Sequence, residues 1–122
     1  MNKIRQDYEL PAAIKEWGWQ FHHMGIPSAI ERPGEKYIPH LKMYVCGFEI
    51  SPFGVEWMRF EADSPVHELV QTLPHIAFVV NDLEDAIKNR ELLSGPDSPS
   101  PGVRVAMIEH NGAPVELMAF ER

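Results

Sequence analysis

The stretch Val55-Glu56-Trp57-Met58-Arg59-Phe60-Glu61 recurs without a gap as Val115-Glu116-Leu117-Met118-Ala119-Phe120-Glu121, with five identities in seven positions. Upstream of these stretches, residues 21–26 match residues 73–78 in the same order, and each segment carries a His. Each half of the chain therefore opens on a short strand with a His and closes on a strand with a Glu. The separation between the His and the Glu is 33 residues in the first half and 41 in the second. Such internal repetition predicts two copies of one β-rich unit.

The second half begins with a predicted strand and helix. Residues 73–80 are short, apolar and rich in β-branched side chains, as is typical of a strand. Asn81 or Asp82 is then expected to cap a helix, because a side-chain oxygen at that position accepts a hydrogen bond from the first helical turn. An apolar stripe at helical spacing follows, formed by Leu83, Ala86, Ile87 and Leu92.

The rest of the second half predicts a loop and a hairpin. Residues 94–102 include three prolines and two glycines, so we expect a loop that belongs to neither a helix nor a strand. Residues 103–109 and 115–120 then form a hairpin, since the Asn111-Gly112 pair between them favours a tight turn. The predicted order is β-α-β-β, with room for one further short strand in the loop.

The first half follows the same plan without the long helix. Residues 27–41 contain several helix-breaking residues, so this segment is predicted to be a loop or a single turn; the breakers are Pro27, Pro33, Gly34 and Pro39. Residues 42–50 and 55–61 are predicted to form a hairpin. Upstream, residues 11–18 predict a short helix that begins near a Pro and ends at a Gly. We expect this helix to cover the sheet face that the missing helix leaves bare.

Strand periodicity assigns the repeated residues to one face of each strand. Side chains alternate between the two faces of a strand, so Glu56 and Glu116 each share a face with the Met and Phe that follow them. The same rule separates two adjacent histidines: His23 is the candidate ligand, and His22 is predicted to point with its neighbours towards the packed side. His75 is the second candidate ligand and shares its face with Ala77 and Val79. The opposite face of its strand is bulky and is predicted to pack beneath the helix, through Ile76, Phe78 and Val80.

Two glutamates in apolar strands require a compensating partner. A buried, unpaired carboxylate is costly, and two at equivalent positions indicate one shared cation. Two neutral imidazoles and two carboxylates form a neutral cluster with a divalent ion. This donor set suits zinc, nickel, cobalt, manganese or ferrous iron. The four candidate ligands are His23, Glu56, His75 and Glu116.

Composition restricts the class of protein. The 122 residues are 44% hydrophobic and carry a net charge of −7, which fits one globular domain. The sequence has no Lys/Arg cluster of the kind that nucleic-acid binding requires. It also lacks apolar runs of bilayer length and an apolar core typical of a signal peptide. A single cysteine fits a reducing compartment. We therefore expect a cytoplasmic protein with a small-molecule substrate and no nucleic-acid or membrane partner.

Three segments resemble those of the vicinal oxygen chelate superfamily: residues 21–26, 74–83 and 113–117. That superfamily includes lactoylglutathione lyase (glyoxalase), methylmalonyl-CoA epimerase, extradiol dioxygenases and bleomycin-type resistance proteins. The resemblance implies a single glyoxalase-like α+β domain over residues 1–122, in which curled mixed sheets surround a cleft. Its two βαβββ-type modules would span about 19–62 and 73–121, after a helical extension at 1–18, and the helix of the first module would be reduced or missing.

The resemblance also implies roles for the repeated residues. His23, Glu56, His75 and Glu116 fall on the superfamily's metal positions, as in its lyase and isomerase members. Such a metal-dependent enzyme would abstract a proton from a small carbonyl or carboxylate substrate and stabilise an enediolate. Glu116 or Glu56 would move the proton, or both would serve only as ligands.

Two alternatives and several details stay open at this point. A non-haem iron dioxygenase would use two His and one carboxylate, and a resistance-type protein would bind a small molecule without chemistry. The broken first helix means that neither glutathione nor coenzyme A is carried over as a substrate.

A homodimer is expected, with the site either within one chain or across the dimer. Trp57 and Arg59 are predicted to make packing or subunit contacts, and three further histidines to lie on the surface, namely His40, His67 and His110.

Overall fold

One curled mixed sheet dominates the protein. In the computed structural model, which describes residues 4–121, this sheet has eight strands. They are β1 (Gln20–Pro27), β2 (Lys36–Ile38), β3 (Met43–Cys46), β4 (Val55–Phe60), β5 (His75–Val79), β6 (Glu91–Ser100), β7 (Val103–His110) and β8 (Ala113–Phe120). The helices are short: α1 (Ala12–Lys15), α2 (Glu68–Thr72) and α3 (Leu83–Ile87), with single 3₁₀ turns at Pro39–Leu41 and Phe48–Ile50. This architecture agrees with the predicted α+β class. Among residues 4–121, no helix is long and apolar enough to cross a membrane.

The strand order places the repeated segments at the centre of the sheet. The order is β2-β3-β4-β1-β5-β8-β7-β6, so the two opening strands β1 and β5 lie side by side and pair antiparallel. Each opening strand pairs in parallel with the closing strand of its own half, β1 with β4 and β5 with β8. Read outward from the centre, each half therefore has its opening strand first, then its closing strand, and then its two remaining strands. The His-bearing and Glu-bearing strands occupy the four middle positions.

The core of the second half lies between α3 and the sheet, as predicted. Asp82 caps α3, and its side chain accepts a hydrogen bond of 3.1 Å from the backbone N–H of Asp85. Leu83 and Ala86 are buried over the bulky face of β5. The predicted helical stripe was too long, however. The helix ends at Ile87, Asn89 adopts a left-handed conformation, and Leu92 belongs to β6.

The prediction of a loop over residues 94–102 was wrong, because residues up to Ser100 continue β6. This strand forms one edge of the sheet, and its register with β7 shifts at several points. Prolines are tolerated on an edge strand, where one side needs no N–H donors. The neighbouring β7–β8 hairpin was predicted correctly, and Asn111 and Gly112 both take positive φ angles in its two-residue turn.

The segment that replaces the first helix packs through charged and aromatic groups. The Arg32 guanidinium lies 3.9 Å from the centre of the Trp57 ring. Arg59 donates two hydrogen bonds to the Glu35 carboxylate, at 2.7 and 3.0 Å. Trp57 and Arg59 thus make packing contacts, as predicted. The short strand β2 was not predicted.

The expectation for the N-terminal helix was wrong. Instead of covering the first half, α1 and the residues after it pack against the second-half core through Ala13, Ile14 and Trp19. The Trp19 ring lies 5.8 Å from the Phe78 ring, and the Arg90 guanidinium lies over Trp17 at 4.8 Å. The helix α1 therefore covers apolar surface of the second-half core.

The linker between the halves returns to the sheet face that carries the glutamates. Val70 of α2 is 3% exposed and packs with Met43 and Met58, and Met107 of the second half contacts the same cluster. Met58 shares its strand face with Glu56, and Met107 is the cross-strand partner of Glu116. The linker therefore fills part of this face beside the central strands.

Candidate metal centre

Two adjacent rows of cross-strand partners form the candidate site. In the first row, Gly25 on β1 pairs with Glu56 on β4 on one side and with His75 on β5 on the other. Directly paired residues present their side chains on the same face of a sheet. Glu56 and His75 therefore project over Gly25, which has no side chain to fill the gap between them.

The second row has the same arrangement, but its small residue and its Glu come from the second half and its His comes from the first. Ala77 on β5 pairs with His23 on β1 and with Glu116 on β8. Ala77 is fully buried, and its methyl group occupies little of the space between the two functional side chains. Each row thus joins the His of one half to the Glu of the other across a small residue.

The four candidate side chains meet at their polar tips. Nε2 of His75 lies 2.8 Å from Oε1 of Glu116, and Nε2 of His23 lies 3.3 Å from the same oxygen. Oε1 of Glu56 is 3.6 Å from Nε2 of His23. The two imidazole rings are nearly perpendicular, with centres 5.6 Å apart. All four predicted residues are thus brought together, with Glu116 at the centre and Glu56 at the side.

Burial gives the site an unusual electrostatic character. His23 and His75 are 4% and 3% exposed, and the carboxylate side chains of Glu116 and Glu56 are 12% and 23% exposed. Burial alone would raise the pKa of Glu116, but hydrogen bonds from His23 and His75 outweigh it and lower the pKa to about 2. Burial opposes protonation of His23, yet its contacts with Glu116 and Glu56 raise its pKa. Burial raises the pKa of Glu56, against the influence of His23.

The predicted orientation of His22 was wrong. A break in the β1–β5 register between Phe21 and His23 interrupts the alternation of faces. His22 consequently lies beside His23, with Nδ1 of one ring 2.7 Å from Nδ1 of the other. Its ring also stacks on Phe48, with centres 4.8 Å apart and an angle of 11°. Sequence reasoning missed His22 because it assumed an unbroken strand.

His23, His75 and Glu116 form a group that could hold a metal ion, since one ligand atom from each lies within 4.8 Å of the others. The donor chemistry fits a divalent ion, because two imidazole nitrogens and a carboxylate oxygen converge. Among the described residues, the buried Nδ1 of His75 has no hydrogen-bond partner, so the ring makes its polar contact through Nε2 alone. Glu56 lies outside this compact group but next to it.

Three further histidines and two surface cavities among the described residues lie outside this site. His40, His67 and His110 are exposed, as predicted. One surface cavity of about 390 Å³ lies between Trp19 and Arg90, and another of about 540 Å³ lies near Arg32 and Tyr44. Neither is lined by the four converging residues, so donor chemistry, and not cavity size, singles out the site.

Comparisons with known proteins identify the fold but no function. No protein-family model matches the chain, and no curated protein matches it. The fold is similar to the crystal structure of hypothetical protein BH1468 from Bacillus halodurans C-125, with a TM-score of 0.64. The two chains are 17% identical, and the match covers 85% of this chain and 96% of the other. At this level of identity, the similarity concerns the fold alone.

Proposed function

We propose that this chain is a member of the vicinal oxygen chelate superfamily built from two βαβββ-type modules. Its sequence repeat and its strand order, which reads the same outward from β1 and from β5, support this assignment. In each row of the site, the His of one half lies across a small residue from the Glu of the other half, so the side chains follow the same symmetry as the strand order. Fold alone does not determine function, so the activity must be argued from the site.

In this proposal, His23, His75 and Glu116 hold a divalent metal ion, and Glu56 lies beside it as a fourth ligand or a proton carrier. When bound, such an ion supplies a positive charge that stabilises an anion developing on a substrate oxygen. The observation that carries the proposal is the convergence of both Nε2 atoms on Oε1 of Glu116, at 2.8 and 3.3 Å.

The two glutamates are suited to different roles. Glu116 contacts both histidines and has a strongly lowered pKa, so it stays ionised and serves best as a ligand. Glu56 is more exposed and lies outside the compact group of three, with Oε1 3.6 Å from Nε2 of His23, which favours a group that takes up and returns a proton. The resulting function is that of a metal-dependent lyase or isomerase that abstracts a proton next to a carbonyl or carboxylate group of a small substrate.

A second candidate function is favoured by the composition of the compact group. Two histidines and one carboxylate are the ligand set of many non-haem iron oxygenases, which keep the remaining positions open. The position of Glu56 outside the compact group is compatible with that set. An iron-dependent dioxygenase would then leave Glu56 free of the metal.

Metal analysis tests the site itself. We expect one zinc, nickel, cobalt, manganese or iron ion per chain in the purified wild-type protein, and near-complete loss of metal in Glu116→Gln. Glu56→Gln is expected to retain metal with a weaker affinity. Glu121→Gln is the matched control, because Glu121 is exposed just beyond the same strand as Glu116. Metal-free wild-type protein that binds none of these ions when they are added would contradict the proposal.

A reaction assay separates the two functions. Small 2-hydroxy and 2-keto acids, incubated in D₂O with metal-loaded protein, should exchange the hydrogen next to the carbonyl or carboxylate group. Glu56→Gln should lose this exchange while it keeps its metal. Oxygen uptake by the iron-loaded protein, without hydrogen exchange and unaffected by Glu56→Gln, would favour the dioxygenase instead.

A further inference from the structure

We propose that His22 is a positioning residue that orients the His23 ring for metal binding through a hydrogen bond between their Nδ1 atoms. This inference rests on the proposed function, since it concerns how one ligand of that site is held. It assigns a role to a residue that the repeat does not single out, because the equivalent position before His75 is Pro74.

The two rings lie at hydrogen-bonding distance from each other. Their Nδ1 atoms are 2.7 Å apart, which is within the range of a strong hydrogen bond and requires one nitrogen to donate and the other to accept. The rings are inclined at 78°, so the pair forms an edge contact. The register break between Phe21 and His23 is what brings consecutive strand residues onto one side of the sheet.

The distribution of protons that a metal ligand needs fits this hydrogen bond. A neutral His that binds metal through Nε2 carries its proton on Nδ1. Nδ1 of His23 then donates to Nδ1 of His22, and the proton of His22 lies on its own Nε2. A partner on the far nitrogen fixes both the tautomer and the orientation of a ligating His.

His22 is itself held in place by two aromatic rings. Its ring stacks on Phe48 and also contacts Phe120, with ring centres 5.7 Å apart. Phe48 belongs to the 3₁₀ turn before β4, and Phe120 ends β8, so the ring is held between the two halves. A side chain fixed on both sides can hold its neighbour in one orientation.

The two ligating histidines are therefore oriented by different means. His23 has a hydrogen-bond partner at Nδ1, whereas no described residue bonds to Nδ1 of His75. The ring of His75 instead lies close above Gly25, whose missing side chain leaves the space that the ring occupies. Loss of the His22 bond should thus affect His23 alone.

Two substitutions separate the hydrogen bond from the packing. His22→Asn keeps an acceptor near the position of Nδ1 but loses the aromatic ring, whereas His22→Phe keeps a ring against Phe48 but has no acceptor. Zinc affinity is measured for both variants and the wild type by competition with a chromophoric chelator. We expect His22→Phe to weaken zinc binding by about 10–100-fold and His22→Asn to weaken it by less than about 5-fold. Urea unfolding of the metal-free proteins shows whether each variant is folded.

The tautomers provide a readout that packing alone would not change. Long-range ¹H–¹⁵N spectra of the zinc-loaded wild type should show His23 protonated at Nδ1 and His22 protonated at Nε2. Zinc affinity that is unchanged in His22→Phe and reduced in His22→Asn would overturn the positioning role and leave the metal site intact. Wild-type protein that binds no zinc, cobalt, nickel, manganese or iron would overturn the proposed function as well, so the two failures are distinguishable.

Discussion

Gly25 on β1 lies directly against the ring of His75 on β5. A Cβ atom added to Gly25 would be 2.2 Å from Cε1 of His75 and less than 3 Å from both of its ring nitrogens. The φ angle of Gly25 is not positive, so the backbone conformation does not require a glycine there. The requirement comes from the ring, which occupies the volume of the missing side chain.

Gly25→Ala is therefore expected to weaken both the metal site and the fold. The added methyl group must displace the His75 ring, and with it the contact between Nε2 and Glu116. We expect a loss of at least about 10-fold in zinc affinity and roughly 1–3 kcal/mol in the free energy of unfolding. Chelator competition and urea unfolding measure the two effects.

The double variant Gly25→Ala/His75→Ala is the control for this clash. Without the imidazole ring the methyl group has space, so the double variant should be no less stable than His75→Ala alone. A double variant destabilised by the full sum of the two single effects would show that the cost of Gly25→Ala arises elsewhere.

The repeat in the sequence was sufficient to predict which four side chains converge. The matched segments identified His23, Glu56, His75 and Glu116, and alternation along the strands placed them on one face. Parallel pairing of each opening strand with its closing strand, together with the antiparallel pairing of β1 with β5, brings them together. Gly25 also had a detectable signal, because it follows His23 by two residues, as Ala77 follows His75.

Features that depend on tertiary structure could not be predicted in this way. The register break that turns His22 towards His23 is a property of the β1–β5 pairing. Whether the proline-rich residues 94–100 form a strand depends on their place at the edge of the sheet, where missing N–H donors are tolerated. The position of α1 depends on tertiary packing of Ala13 and Ile14 against the second-half core, which the sequence pattern does not specify.

The metal-free protein should show a pH-dependent stability that originates at Glu116. Its pKa is about 2 in the folded protein and 4.5 ordinarily, so its contribution is complete above pH 4.5 and is lost as the pH falls towards 2. The pKa of His23 is raised above 6.5, so its contribution is complete below pH 6.5 and is lost as the pH rises through the raised value. The two contributions overlap between pH 4.5 and 6.5.

Urea unfolding in the presence of a chelator, from pH 3 to pH 9, measures this profile. Because one pKa unit corresponds to about 1.4 kcal/mol, the fall of the Glu116 pKa from 4.5 to about 2 leads us to expect that Glu116→Gln removes on the order of 3 kcal/mol of pH-dependent stability. Glu56 titrates in both the wild type and Glu116→Gln, so its contribution largely cancels when one stability profile is subtracted from the other. Identical profiles for the wild type and Glu116→Gln would show that the carboxylate is not coupled to the histidines.

Metal binding should stabilise the folded chain. The ligands come from both halves of the sequence and converge only in the folded state, so free zinc at 100 times its dissociation constant should add about 2.7 kcal/mol to the free energy of unfolding. A chelator should remove this gain. Lowering the pH should also weaken binding, because protons compete for the same nitrogen and oxygen atoms.

Two controls establish that this effect is specific. Glu116→Gln at the same zinc concentration should show little stabilisation, since it lacks the central ligand. Magnesium should stabilise the wild type far less than zinc, because it prefers oxygen ligands to imidazole nitrogen. Equal stabilisation of the wild type and Glu116→Gln by zinc would point to binding elsewhere on the protein.

The linker helix α2 should contribute to stability through one buried side chain. Val70 is 3% exposed and packs against methionines of β3 and β4, so Val70→Ala removes two buried methyl groups and leaves a cavity, at a cost of roughly 2 kcal/mol. Leu73 directly follows α2 and is 40% exposed, so Leu73→Ala serves as the control and should cost less than about 0.5 kcal/mol. Urea unfolding of the two variants should therefore differ clearly in midpoint. Equal losses would mean that α2 does not insert Val70 into the face that carries Glu56 and Glu116, and that the linker merely connects the halves.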